Sequence, residues 1–166
     1  MRQFLPTLCV LALLAPVVAK AADPPFPARR AGLWVNTVKT AQGVFVRKAC
    51  TSPETDLVLR QRGFDDLRKT GRLTVTGSGS KFHMTIVSVR SGHTVATNED
   101  IVFAGDTDMQ TRGHIHVAPP FARGGMATDS DVSGDEKWSG PCPPGMVPGD
   151  MIVGGRKFNP LKAPAR

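Results

Sequence analysis

The stretch WSGPCPPGMVPGDMIVGGRKF, from Trp138 to Phe158, constrains the fold more than any other. It holds one of three Cys and four of the fourteen Pro residues, so its backbone has little freedom. Because Pro fixes φ and has no N–H for a β-ladder, Pro141 to Asp150 is predicted to form a rigid loop between strands. Gly154 and Gly155 predict a tight turn that closes a small hairpin. Cys142 lies at the head of this loop, where a covalent bond could hold it.

The first 21 residues predict an export signal. Arg2 gives a short basic start, Leu5 to Val18 is almost wholly apolar, and Ala19-Lys20-Ala21 matches a small-x-small cleavage site. The alternative is a membrane anchor, but an apolar run of about 14 residues is shorter than the roughly 20 that a span needs. We therefore expect a signal peptide over residues 1–21 that is cleaved near Ala21. The product is expected to be periplasmic or secreted, without a transmembrane segment.

Cleavage would remove Cys9 and leave Cys50 and Cys142. In an oxidising compartment, an isolated pair of Cys residues is most simply a disulfide. The alternatives are a metal site or a reactive thiol. Neither Cys has a second Cys or a His at ligand spacing, so the disulfide is favoured.

The chain is basic, with a formal net charge of +7. Removing the signal peptide takes away Arg2 and Lys20, which leaves about +5. A basic balance can indicate nucleic-acid, anionic-membrane or acidic-ligand partners. Here the basic residues come singly or in pairs, with no run of five and no aromatic-rich strand beside them. A solvated surface is favoured, and we expect no nucleic-acid partner.

One helix and many short strands are predicted after the signal. Residues 22–28 are rich in Pro and are typical of a flexible or polyproline lead-in outside the core. Residues 31–38 and 44–49 alternate in polarity and predict a hairpin. Ser52 as N-cap, followed by Pro53, predicts a short helix that ends at Gly63.

From Gly71 onward, strand-like segments follow one another at regular spacing with turn residues between them. This pattern predicts a mainly β fold: a single antiparallel, strongly curved sheet or open barrel of about 7–8 strands, with one short helix after the second strand. We expect one β-rich domain over residues 29–160 and a C-terminal tail over residues 161–166.

Five segments frame this domain. They are PARRAGLWVNTV (Pro27–Val38), a single Cys before a helix that contains Pro and Asp (Cys50–Asp56), LRKTG (Leu67–Gly71), FAGD (Phe103–Asp106) and KWSGPCPPGMVPGDM (Lys137–Met151). Together they resemble the family called domain of unknown function 3617, a group of small exported bacterial proteins. The resemblance covers most of the mature chain. It implies export and a compact β-rich domain, and it implies no activity.

The chain departs from this family pattern in its cysteines. Family members often carry two further Cys residues in the middle, and the matching places here, near Gly63 or Phe64 and at about Arg90, lack Cys. If these two were lost together as a bonded pair, Cys50 and Cys142 remain as partners. The resemblance thus supports the same disulfide.

His114-Ile115-His116 is the best candidate for a metal site. In a strand, residues i and i+2 point to the same face, so two imidazoles could reach one ion. A third ligand would have to come from a neighbouring strand, and His83, His93 and Asp100 are candidates. Two His without a third ligand form a weak motif, and an exposed polar strand face is favoured.

Residues 129–134 resemble the opening of a calcium loop. Asp129 and Asp131 supply oxygens at positions 1 and 3, Ser133 at position 5, and Gly134 follows at position 6. Position 12 is Gly140 instead of Glu, and no helix flanks the loop. A polar β-turn is favoured over a calcium site.

No catalytic motif is complete. The chain has no G-x-S-x-G elbow, no phosphate-binding loop and no dinucleotide fingerprint, and it lacks Tyr. We therefore expect no enzyme activity and no cofactor.

A curved sheet with a helix near one end can enclose a pocket for a small apolar ligand. Trp34, Phe45, Phe82, Met84 and Phe103 are the candidate lining, although such residues more often fill a packed core. The working hypothesis is an exported, non-enzymatic domain that binds a small apolar ligand or an envelope protein. A metal- or calcium-binding protein is the alternative, and a hydrolase comes third.

Overall fold

The computed structural model describes residues 23–121 and 128–162. Within these ranges the chain forms nine strands and one helix. They are β1 (Gly32–Thr40), β2 (Gly43–Thr51), α1 (Pro53–Thr70), β3 (Gly71–Ser78), β4 (Lys81–Arg90), β5 (His93–Ala104), β6 (Asp108–Ala118), β7 (Asp129–Trp138), β8 (Met151–Val153) and β9 (Arg156–Phe158). The predicted signal peptide and residues 163–166 of the predicted tail lie outside the described residues.

The nine strands form one antiparallel sheet in the order β3-β4-β5-β6-β7-β1-β2-β8-β9. The predicted mainly β fold with a single antiparallel sheet and one helix after the second strand is confirmed. The strand count exceeds the expected seven to eight. β3 and β9 are the two ends of the described sheet, which is not closed, so its pairing does not establish an open barrel.

α1 begins where the sequence predicts. The Ser52 side chain accepts a hydrogen bond from the backbone N–H of Thr55, and Pro53 occupies the first turn. The predicted end at Gly63 is wrong, because the helix continues to Thr70. Phe64, the residue after Gly63, packs against the apolar core. Such tertiary contacts outweigh the roughly 1 kcal/mol that Gly costs inside a helix.

Alternate residues of each strand point to opposite sides of the sheet. We call the side that carries Met84, Ile101, Phe103, Met109 and Glu136 the helix face, because α1 residues share a cavity with these side chains. The opposite side is called the outer face. The core cluster lies on the helix face and comprises Val75, Phe82, Met84, Ile101 and Phe103.

The lead-in segment contributes to this core. Phe26 stacks on Phe82 with ring centroids 4.4 Å apart, and its ring lies 5.7 Å from Phe64 and 5.8 Å from Phe103. Residues 23–28 have no helix or strand, as expected. The expectation that this segment stays outside the core is nevertheless wrong at Phe26, because a large aromatic ring gains more from burial than the short chain loses in freedom.

The predicted disulfide between Cys50 and Cys142 is confirmed, with Cα atoms 5.5 Å apart across 92 residues of sequence. The predicted loop before β8 is also confirmed. Its end is tied to β2: the N–H of Gly149 donates to the carbonyl of Cys50 at 2.8 Å, and the N–H of Cys50 donates to the carbonyl of Asp150 at 2.9 Å. The loop thus covers Cys50, which is fully buried.

Candidate functional site

A cavity of about 380 Å³ lies between α1 and the helix face. Its walls come from α1, the lead-in and six strands: β2, β4, β5, β6, β7 and β8. β4 and β8 are six positions apart in the sheet, which corresponds to nearly 30 Å in a flat sheet at about 4.8 Å per strand. One small cavity can touch both strands only because the sheet bends around the helix.

Most of the cavity wall is apolar. Side chains of this kind come from the lead-in, from α1 and from five strands: Phe26, Ala49, Leu59, Phe64, Met84, Ile101, Phe103, Met109 and Met151. Three of them are Met, whose unbranched and polarisable side chain adapts to irregular shapes. A cavity with such a wall favours an apolar occupant over water.

β2 contributes one polar edge of the cavity. Its residues Arg47, Ala49 and Thr51 line the cavity at intervals of two, which is the period of a strand face. In the sheet register Arg47 lies opposite Asn36 of β1, and Asn36 lies opposite Glu136 of β7. These three side chains therefore form one row across the helix face.

Four charged side chains form a network at one end of the cavity. Arg29 contacts Asp56, and its guanidinium lies 2.8 Å from the Glu136 carboxylate. Arg60 contacts the other oxygen of Asp56 at 2.7 Å. Both carboxylates are 4% exposed, so they have almost no contact with water. A buried carboxylate without a cationic partner would be strongly unfavourable, which makes the four side chains mutually dependent.

Burial and charge act in opposite directions on the two arginines. Burial alone would lower the pKa of Arg29, but hydrogen bonds and charges from Asp56 and Glu136 outweigh it, and the pKa is raised. The pKa of Arg60 is lowered, because burial is only partly offset by Asp56. Both groups remain protonated at physiological pH, since arginine does not lose its proton in proteins. The charged end of the cavity therefore carries permanent charges.

Two buried polar atoms near the β2 edge have no hydrogen-bond partner within the described part of the chain. One is the hydroxyl of Thr51, a cavity-lining residue that is only 2% exposed, and the other is the side-chain carbonyl oxygen of Asn36, which lies in the row between Arg47 and Glu136. Unsatisfied buried polar atoms are rare in native proteins.

The five predicted pocket residues have different positions. Met84 and Phe103 line the cavity. Phe82 and Trp34 are almost fully buried but are not part of the cavity wall, so they fill the interior. Phe45 points to the helix face, opposite Val38, but it is 56% exposed and lies away from the cavity.

The residues predicted from the sequence do not include the charged part of the cavity. Asp56 and Arg60 are four residues apart on α1, a spacing that places two side chains on one helix side. That signal was present in the sequence. Arg29 and Glu136 meet across more than a hundred residues of chain, and no local pattern predicts their contact.

The candidate metal ligands lie together on the outer face. β6 and β7 pair so that His114 is opposite Asp131 and His116 is opposite Asp129. The His114 ring nitrogens lie 3.0 Å from Asp131 and 3.1 Å from Asp129, and Nδ1 of His116 lies 2.8 Å from Asp129. Among the described residues, no group of three or more His, Cys, Asp or Glu is arranged to hold a metal ion. The four side chains form exposed ion pairs.

The favoured turn at residues 129–134 is wrong, because these residues belong to strand β7. Extended backbone also excludes the calcium-loop geometry, in which the chain wraps around the ion. The other candidate metal ligands have partners of their own. Nδ1 of His83 lies 2.8 Å from Asp100, and Nδ1 of His93 lies 2.7 Å from the carbonyl of Pro119.

A second cavity, of about 430 Å³, lies near the end of β1. Its wall includes Lys39, Arg112, Asp131 and Ser133, and the first three of these side chains are exposed. Water solvates such a surface well, so this hollow gives an apolar ligand little reason to bind.

In the described part of the chain, no helix is both long and apolar enough to cross a membrane. Comparisons with protein-family models, curated proteins and solved structures found no match. The resemblance to domain of unknown function 3617 stays a prediction.

Proposed function

We propose that this protein is a non-enzymatic binding domain that takes a small, mainly apolar ligand into the cavity beneath α1. The observation that carries the proposal is the cavity itself, with about 380 Å³ of space and a largely apolar wall. Ligand sites typically measure roughly 300–1,000 Å³ and combine apolar walls with a few polar groups. In this proposal the bent sheet serves as an open barrel, and α1 covers the ligand.

We further propose that the protein is exported to the periplasm or secreted, as the resemblance to domain of unknown function 3617 implies. The Cys50–Cys142 bond supports this proposal, because disulfides persist in oxidising compartments. Several of the segments that carry the resemblance also contact one another in the fold. Arg29 contacts Asp56, Arg30 contacts Asp106, and the indole N–H of Trp138 donates to the carbonyl of Ala31.

A substitution that fills the cavity tests the binding function. Met109 lines the cavity, and the Met109→Trp change places a large ring in that space. We expect the wild-type protein to bind N-phenylnaphthylamine, an uncharged apolar fluorophore, with a rise in its emission. Met109→Trp should weaken this binding by about tenfold or more, because each 1.4 kcal/mol of lost contact corresponds to a factor of ten.

Gln110→Trp is the matched control, because Gln110 is the next residue along β6 and is exposed on the outer face. It should bind the fluorophore as the wild type does. No fluorophore binding by the wild type, or equal binding by all three proteins, would contradict a ligand in this cavity. Circular dichroism and melting of each variant show whether it has folded.

Metal binding through His114, His116, Asp129 and Asp131, without the geometry of a calcium loop, remains the alternative. The observation in its favour is that these four side chains converge on neighbouring strands. Elemental analysis of protein purified without chelator tests it, and a stoichiometric ion would support it. Binding of an envelope protein and hydrolase activity stay predictions for which the cavity offers no support.

A further inference from the structure

Five charged side chains line the cavity, and four of them balance one another. Arg29 and Arg60 carry two positive charges, and their contacts with Asp56 and Glu136 offset these charges within the wall. A charge-neutral network of this kind attracts ligands of neither sign. The charge of the fifth side chain therefore decides which ligands the cavity prefers.

The fifth charged side chain is Arg47. None of the ion pairs among the described residues includes it. It is exposed, so it lies where the cavity meets solvent. The row of paired residues places it two strands from Glu136, about 10 Å away at the usual strand spacing. Glu136 is already bound to Arg29, so the Arg47 end of the cavity keeps a net positive charge.

Thr51 is the other polar residue that β2 contributes to the cavity wall. Thr51 lines the cavity and is almost fully buried, and its hydroxyl has no hydrogen-bond partner among the residues that the structure describes. Thr51 and Arg47 are four residues apart on β2, roughly 13 Å at about 3.3 Å per residue, so Thr51 marks the buried end of this wall and Arg47 its solvent end.

We propose that the ligand is an amphipathic acid, with its apolar body against Met84, Ile101 and Phe103 and its carboxylate bound by Arg47. This inference rests on the binding function proposed above and adds the chemical class of the ligand. Arginine suits the role, because its planar guanidinium donates two parallel hydrogen bonds to a carboxylate. The apolar wall contacts the chain, and the exposed position of Arg47 keeps the head group in contact with water.

The test compares three probes of equal chain length: decanoate, decanol and decylamine, each below the concentration at which it aggregates. Displacement of N-phenylnaphthylamine measures their affinities for the wild type and for Arg47→Gln. Lys48→Gln is the matched control, because Lys48 is the next residue of β2, is exposed, points to the outer face and loses the same charge.

We expect the wild type to bind decanoate about tenfold more tightly than decanol, a difference of ~1.4 kcal/mol, and to bind decylamine most weakly. Arg47→Gln should remove the preference for decanoate and leave decanol unchanged, while Lys48→Gln should keep the preference. Equal affinities for decanoate and decanol, or the same loss in both variants, would overturn the inference and leave the binding function intact. Failure of all three probes and of the fluorophore would overturn the binding function itself.

Discussion

The two faces of the sheet carry similar ionic groups in different surroundings. On the helix face, Asp56 and Glu136 are 4% exposed and are held by Arg29 and Arg60. On the outer face, His114 and His116 form cross-strand pairs with Asp129 and Asp131, whose side chains are 56% and 93% exposed. The contact distances are similar, but the access of water differs greatly.

This difference indicates what each set of charges contributes. Exposed ion pairs typically contribute less than about 1 kcal/mol, because water already solvates both partners. Removing one partner from a buried pair costs roughly 3–5 kcal/mol, because the other charge is left without compensation. We therefore expect the contacts on the helix face to determine the free energy of unfolding and the binding of ligand. The ion pairs on the outer face should change stability only when the pH changes. The loop over Cys50 is an exception, since it buries part of the outer side of β2.

The largest loss of stability is expected when the loop over Cys50 is released from its disulfide. Cys142→Ser removes a bond across 92 residues, which the chain-entropy model values at roughly 4–5 kcal/mol. The melting temperature should fall by about 10 °C or more. Differential scanning calorimetry measures it, and a thiol assay should find one free Cys. After reduction, the wild type should melt close to the variant. A variant that melts like the oxidised wild type would show that the loop over Cys50 contributes no more to stability than the rest of the outer face.

The next effect compares one carboxylate from each face. Asp56→Asn keeps the shape of the side chain but leaves Arg29 and Arg60 short of negative charge, so we expect a loss of about 3 kcal/mol. Asp129→Asn makes the same chemical change on the outer face and should be close to neutral. Urea unfolding measures both. Equal losses from the two variants would remove the distinction between the faces.

The smallest expected effect is a pH dependence of stability that arises from the ion pairs on the outer face. Hydrogen bonds to Asp131 and then Asp129 raise the pKa of His114 above its ordinary 6.5, so its contribution to stability is present below that value and is lost as the pH rises through the folded-state pKa. Hydrogen bonds from His116 and His114 lower the pKa of Asp129 below its ordinary 3.8, so its contribution is lost as the pH falls through that lower value.

Wild type should therefore have a higher melting temperature than His114→Gln below pH 6.5, and the gap should close as the pH rises through the raised pKa of His114. High salt should shrink the gap, because both partners are exposed. Melting curves across pH at two salt concentrations measure this. A gap that stays constant with pH would show that His114 acts through packing instead of charge.

Local patterns in the sequence predicted much of the fold. Ser52 and Pro53 marked the start of α1, the Pro-rich segment before Met151 marked the loop, and strand alternation indicated the antiparallel sheet. Errors arose where a distant contact outweighed a local preference. Gly63 did not end the helix, because Phe64 packs on the core. The favoured turn at residues 129–134 is a strand, because β6 pairs with the whole segment and β1 pairs with Ser133 and Gly134.

The candidate site was harder to predict than the fold. Of the five predicted pocket residues, Met84 and Phe103 line the cavity. Hydrophobicity shows that a residue prefers burial, but it does not distinguish a cavity wall from a packed interior, since both are apolar. The positions of Trp34 and Phe82 illustrate this, as both are buried outside the cavity wall.

The sequence by itself determined most of the strands, the start of α1 and the covalent bond. Turn residues and the strand period act locally, and an isolated pair of Cys residues allows only one pairing. Only the tertiary structure decided that the sheet bends around α1 and that Arg29 joins Asp56 to Glu136 beside an apolar cavity. Those contacts depend on pairing β1 with β7 and β2 with β8 across the chain. Long-range pairing is set by the packing of the whole sheet, and no local segment of sequence encodes it.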